Sequence, residues 1–139
     1  MEKHFVTYDQ ALDLKDLGFK GSCFGEWRQW DGGYPWLQLY QDLDGCSTDD
    51  SDYQYTTEAL APLKSQVFEW FRDKHNLYHE IRTFAWDYDK KELGFSIRTY
   101  LNPIDIETER LIHSEVYETY KEAESACIDK LIEIVKSKK

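Results

Sequence analysis

The sequence predicts an α+β fold in which helices pack on one face of an antiparallel sheet, and three observations indicate it. Three segments repeat apolar residues at helical spacing. Several short segments alternate instead and are rich in aromatic and β-branched residues. Short connections join the strands of the C-terminal part. The expected order is α-β-β-α-β-β-β-α, and its C-terminal part is α-β-β-β-α.

The first helix is predicted over 8–17. Thr7 and Gln10 have the spacing of a capping box, in which each side chain bonds to the backbone of the other. Apolar residues follow on one face. Gly18 suits the left-handed position that commonly ends a helix.

Two strands are predicted next, over 23–30 and 34–41, joined by Asp31-Gly32-Gly33. Asp-Gly favours a hairpin because both residues tolerate a positive φ. Pro35 lacks an N–H to donate, which places its strand at an edge or at a strand start. Residues 42–57 contain five aspartates among small polar residues, and they are predicted to be a loop.

The C-terminal part is predicted to begin with a helix that ends near Asn76. Thr119 marks the start of the last helix, whose buried stripe would include Cys127 and Ile134. The predicted elements are helix 63–75, strands 78–86, 95–101 and 110–116, and helix 119–136.

Length and charge limit the classes of function. The chain has 139 residues and a net charge of −10, and we expect a single domain over 1–139 in which the acidic part, 1–62, packs with 63–139. Residues 1–62 carry a net charge of −8, which disfavours nucleic acid and anionic membranes as partners. No apolar run reaches the length of a membrane span. Three widely spaced cysteines and no secretory signal favour the cytoplasm.

The order of elements over 63–136 resembles that of the double-stranded-RNA-binding domain, and the segment Tyr120–Glu124 matches the start of that family's last helix. The resemblance implies a phosphate-gripping motif there. Lys121 and Ala123 keep that pattern, whereas Glu122 and Glu124 stand where cations are expected. The loop 87–92 also lacks the family's Gly-Pro and His. A degenerate domain of this type is therefore one alternative.

Over most of its length the chain also resembles small proteins of gut-bacterial, phage and mobile-element genomes. Three segments carry the resemblance: 11–19, 68–75 and 120–127. It implies a mobile-element context and transfers no activity.

The sequence contains no complete motif for metal binding, cofactor binding or nucleophilic catalysis. We therefore expect no metal, no cofactor and no catalytic residue. His75 and His79 have zinc-like spacing, but Asn76 is expected to end the helix between them. Asp42 and Asp44 have the spacing of the first two ligands of a calcium-binding loop, but the later positions of that loop lack the required ligands and glycine. An enzyme with a site assembled from distant residues stays open as an alternative; its candidates are His75, His79, Glu80, His113 and Cys127.

The region around the predicted hairpin is the most aromatic of the chain. Its rings belong either to the core or to a surface that binds a partner protein or a second copy of the chain. Trp27 and Trp30 have opposite parity, so alternation should turn one of them outward. The candidate surface comprises Trp27, Trp30, Tyr34, Trp36, Tyr40, Asp42, Asp44, Asp49, Asp50 and Asp52.

The sequence thus favours a non-enzymatic protein-interaction domain. A further alternative is an acidic mimic of a nucleic-acid backbone that occupies a basic site on a host protein. Such mimicry would depend on the acidic segment 42–52.

Overall fold

A computed structural model describes residues 2–30, 33–39, 55–87, 92–100 and 110–138. A short 3-10 turn, Glu2–His4, precedes the regular elements. These are α1 (Tyr8–Asp16), β1 (Gly25–Trp30), β2 (Pro35–Leu39), β3 (Tyr55–Leu60), α2 (Lys64–His75), β4 (Tyr78–Asp87), β5 (Glu92–Tyr100), β6 (Arg110–Tyr117) and α3 (Tyr120–Ser137).

The structure confirms the α+β class. Its described strands form two antiparallel three-stranded sheets, with the orders β2-β1-β3 and β4-β5-β6. The chain divides into two compact units, Met1–Gln66 and Val67–Lys139. That the two units form a single domain stays a prediction.

The predicted order of elements is wrong at one place, because β3 was not expected. Residues 55–57 fall within the segment predicted to be a loop, yet they begin a strand that pairs with β1. The pairing shifts register, so that Trp27 faces Ala59 while Arg28 faces Thr57. Glu58 is the extra residue of a β-bulge. Since a bulge breaks the two-residue alternation, the pattern of β3 resembles a loop.

Local backbone signals place the helix ends where the sequence predicted them. Thr7 accepts from the backbone N–H of Gln10 at 3.2 Å, and the Gln10 side chain accepts from that of Thr7 at 3.0 Å, which completes the capping box. Gly18 has a φ of 93° directly after Leu17, the C-cap residue of α1. Asn76 has a φ of 54° after α2. Thr119 caps α3 by accepting from the N–H of Glu122.

In the first unit, α1 and the segment before it pack on β1. The Trp27 ring meets Tyr8 edge-on, with centroids 5.9 Å apart, and its Nε1–H donates to the carbonyl of Val6 at 3.3 Å. The buried hydrophobic residues here are Phe5, Val6, Ala11, Leu14, Phe19, Trp27, Ala59 and Ala61. This burial holds α1 against the sheet because apolar surface is removed from water.

In the second unit, α2 and α3 lie on the same face of the sheet, as predicted. The ring of Tyr120 in α3 contacts Phe95 of β5. Phe68 of α2 stacks on His79, which pairs directly with Thr99 of β5. Thr99 and Phe95 share a face because they are four residues apart on one strand.

The buried stripe of α3 contains Cys127, as predicted, and packs on all three strands of its sheet. Its members are Ala123, Cys127, Ile128, Leu131, Ile132 and Val135. Ile134, expected in the stripe, is only half-buried, and Ile132 takes that place. Among the described residues, no helix combines the length and apolar character needed to cross a membrane.

Candidate interaction surface

The two faces of the β1–β2 hairpin differ in chemistry. Trp27 and Gln29 point towards the α1 side, since Tyr8 contacts the Trp27 ring and its hydroxyl donates to Gln29 Oε1 at 3.4 Å. Trp30 has the opposite parity and is 40% exposed. The sequence left open whether these rings belong to the core or to the surface. Trp27 therefore belongs to the core, and Trp30 lies at the surface.

Trp30 stacks on Trp36 across the hairpin. Their ring centroids are 4.8 Å apart and the planes differ by 21°. Trp36 pairs directly with Arg28, so Trp30 is its diagonal neighbour on the same face, within reach of a large aromatic side chain. Tyr34, in the connection between the two strands, is 91% exposed. Trp30, Tyr34 and Trp36 are called the aromatic tip below.

Hydrogen bonds hold the connection that carries the aromatic tip. The N–H of Gly33 donates to the carbonyl of Trp30 at 2.9 Å. The Gln29 side chain donates to the carbonyl of Gly33 at 2.8 Å. A methyl group added at Gly33 would lie 3.1 Å from the Cβ of Trp30, so this glycine lets the turn approach the ring closely.

A buried ion pair lies on the same face as the aromatic tip. Arg28 is only 2% exposed, and its Nη2 and Nε approach Glu26 Oε1 at 2.6 and 2.7 Å. Charged residues are rarely buried unless they are paired, and here the partner is two residues away on the same strand face. Sequence reasoning missed this pair, although its shared parity with Trp30 was a usable signal.

Six members of the sequence-predicted surface lie outside the described residues. They are Tyr40, Asp42, Asp44, Asp49, Asp50 and Asp52. The candidate calcium-loop positions fall in the same segment.

An apolar groove of about 210 Å³ lies between α1 and β3, on the first unit. Ala11, Leu14, Phe19 and Leu60 supply its apolar lining, and Lys15 reaches across to donate to the carbonyl of Glu58 at 2.9 Å. Pockets for small molecules or cofactors usually measure about 300–1,000 Å³. The groove is therefore small for such a ligand.

Of the residues proposed for a dispersed catalytic site, strand geometry separates Glu80 from His79. Glu80 follows His79 directly in β4, so the two side chains point to opposite faces of the sheet. Glu80 pairs with Arg82 at 2.9 Å. Cys127 lies in the buried stripe of α3. The side chain of His113 is outside the described part.

Burial controls the titration of the groups that catalysis would need. It raises the pKa of the Cys127 thiol to about 12, with the Glu124 carboxylate adding to the effect, and that of Cys23 to about 11. Burial and then the charge of Arg72 lower the pKa of His79 to about 4. In the part of the chain that the structure describes, no group of three or more His, Cys, Asp or Glu could hold a metal ion.

No protein-family model, no curated protein and no solved structure matches the chain.

Proposed function

We propose that this protein is a non-enzymatic protein-interaction module that binds its partner through the aromatic tip. The observation that carries the proposal is the exposure of a stacked tryptophan pair beside a tyrosine that is 91% exposed. Tryptophan and tyrosine are enriched among the residues that contribute most to protein–protein binding. Exposed rings grouped in this way therefore support a contact surface.

Two rings of the aromatic tip are positioned by contacts within the hairpin. Strand pairing holds the backbone of Trp36, and Trp30 stacks on its ring. A surface that is ordered before binding loses less conformational entropy when the partner arrives. The arrangement thus supports recognition of a partner.

The titratable groups support a binding role over a catalytic one. A thiol must ionise to act as a nucleophile, and the raised pKa of Cys127 keeps it protonated at neutral pH. His79 stacks on Phe68 with ring centroids 3.7 Å apart, inside the second unit. Cys23 and Cys127 are both free thiols, which supports a reducing cytoplasmic location.

Cross-linking from the aromatic tip tests the proposal. A photoreactive phenylalanine derivative replaces Tyr34, whose exposure leaves room for it, and the protein is irradiated in a lysate of its own host. The matched control carries the same group at Phe24, which is 48% exposed and precedes β1. We expect a defined protein adduct from position 34 that position 24 does not give.

A competition and a size measurement complete the test. An excess of unmodified wild-type chain should suppress the adduct, and an excess of the Trp30→Ala, Trp36→Ala double variant should not. Light scattering during size exclusion identifies an adduct formed between two copies of the chain. The proposal is wrong if positions 34 and 24 give the same adducts, or if the double variant competes as well as wild type.

A further inference from the structure

We propose that two copies of this chain associate by pairing β4 of one copy antiparallel with β4 of the other, so that Glu80 of each copy faces Arg82 of the other. Ile81 then lies on the two-fold axis, opposite the same residue of the second copy. The surface belongs to the second unit and does not include the aromatic tip. This inference goes beyond the proposed function and does not depend on it.

β4 is an outer strand of its sheet, and its middle is open to solvent. In the order β4-β5-β6, its neighbour among the described strands is β5. The side chain of Arg82 is 51% exposed, and Thr83, which points to the opposite face, is exposed as well. Since consecutive side chains are exposed on both faces, the edge of β4 is accessible here to a further strand.

The sequence of β4 also suits the addition of a strand. β4 has 10 residues, whereas an average strand has about 5–6. It pairs regularly with β5 from Tyr78 to Ala85, and it contains no proline, glycine or lysine. Outer strands that avoid edge pairing are commonly short, bulged or interrupted by proline. Two other outer strands have such features, since β2 begins with Pro35 and β3 carries the bulge at Glu58.

The charges of β4 are complementary to those of a second copy in one antiparallel register. Arg82 Nε and Glu80 Oε1 are 2.9 Å apart within the chain, and both side chains lie on the face opposite to that of His79. When Ile81 faces its own copy, positions 80 and 82 face each other, and symmetry creates two carboxylate–guanidinium contacts. Opposite charges at directly opposed positions stabilise an antiparallel pair, whereas like charges destabilise it.

Ile81 supplies an apolar contact at the two-fold axis. Its side chain shares a face with His79, which stacks on Phe68 of α2, and it is only half-buried. Residues that face each other across antiparallel strands have Cβ atoms about 4.5–5.5 Å apart, and β-branched side chains pack well there. Pairing in this register therefore removes from water apolar surface that the single chain leaves exposed.

Light scattering during size exclusion and sedimentation velocity measure the association of the full chain. We expect wild type to change from monomer to dimer as its concentration rises to about 0.2 mM. Glu80→Arg and Arg82→Glu each place like charges opposite each other twice, so the dissociation constant should rise about 5- to 100-fold. The matched control, Glu133→Arg, makes the same change of charge at a 69% exposed position of α3 and should leave the constant unchanged.

Two combinations separate the interface from effects on the single chain. The double variant Glu80→Arg, Arg82→Glu restores both contacts and should dimerise as wild type does. An equal mixture of the two single variants should form a mixed dimer, because a chain with two arginines then faces a chain with two glutamates. Neither chain of that mixture has the internal Glu80–Arg82 pair, so its recovery must come from the interface. Circular dichroism verifies that each variant is folded.

Oxidation of an introduced cysteine measures the register directly. The starting chain has Cys23 and Cys46 replaced by serine, and it keeps Cys127, which is buried in α3. Ile81→Cys should form a disulfide between copies, since directly opposed Cα atoms lie within the range that a disulfide spans. Thr83→Cys should not, because the two copies of position 83 would be about 13 Å apart.

Four results overturn the inference. The first is a wild-type chain that stays monomeric at about 0.2 mM. The second is a dimer that neither single variant weakens, because such a dimer uses another surface. The third is a mixture of the single variants that stays monomeric while wild type dimerises, which shows that positions 80 and 82 do not face each other. The fourth is any cross-linking pattern other than a disulfide at position 81 and none at position 83, and this measurement decides even where a charge variant fails to fold.

Discussion

The pH dependence of stability should report the burial of His79. The ring stacks on Phe68 with an interplanar angle of 11°, and burial, followed by the charge of Arg72, lowers its pKa to about 4 from an ordinary 6.5. The folded chain therefore binds a proton at His79 less readily than the unfolded chain does. The stability that the neutral His79 ring contributes to the folded state is complete above about pH 6.5, and it is lost as the pH falls towards about 4.

The size of the effect follows from these two pKa values. At about pH 4.5 the linkage relation gives an upper limit of about 2.5 kcal/mol for the stability lost through His79. The side chain is half-buried, so solvent screening reduces the expected loss to about 1–2 kcal/mol. His79→Phe keeps a ring against Phe68 and removes the proton site.

Urea unfolding followed by circular dichroism measures this contribution at about pH 7 and about pH 4.5. Many carboxylates also titrate in this interval, so the quantity of interest is the difference between wild type and variant. We expect His79→Phe to lose about 1–2 kcal/mol less than wild type between the two pH values. His4→Gln, which removes an exposed histidine, serves as the control. Equal losses in wild type and His79→Phe would refute the reasoning.

Three further results are expected. Gly25→Ala should lower the free energy of unfolding by about 1–3 kcal/mol, because its new methyl group would meet the Gln38 carbonyl oxygen at 2.6 Å; unchanged urea stability would contradict this. Glu26→Gln should lower the free energy of unfolding by about 3 kcal/mol, because it removes a carboxylate charge that pairs with the buried Arg28. A second change, Arg28→Met, should recover part of that loss, and a further loss in the double variant would count against the ion pair. The chain should not retard an RNA duplex of about 20 base pairs at about 0.15 M salt, since Lys121 pairs with Glu124 at 3.3 Å and acidic residues predominate; a shifted band would show that the topology outweighs the charge.

The helix ends could be predicted from the sequence because they depend on local chemistry. The Thr7 hydroxyl, the missing side chain of Gly18 and the short amide of Asn76 each act within a few residues of their own position. The helix–three strands–helix order of the second unit was predictable for a related reason, since β5 alternates cleanly between its two faces. These signals need no knowledge of distant partners.

The missed features depend on strand pairing and burial, which the local sequence does not report. β3 pairs with a strand that ends 25 residues earlier, and its bulge at Glu58 hides the alternation that would have revealed it. Arg28 resembles an exposed residue in the sequence because burial of a cation requires a countercharge in the right place. The shared parity of Glu26 and Arg28 puts both on one strand face, but the sequence does not show that this face buries the cation.

Strand parity predicts only part of the candidate surface. Alternation requires Trp27 and Trp30 to lie on opposite faces, but it does not say which face receives α1. That choice depends on contacts from Tyr8 and the Val6 carbonyl, both about 20 residues away in the sequence. Trp30 then lies on the opposite face with Arg28 and Trp36, which pair across the hairpin. That face buries Arg28 to 2% exposure and leaves Trp30 40% exposed. Neighbours on one strand face can therefore differ in burial, and parity alone does not predict which ring is exposed.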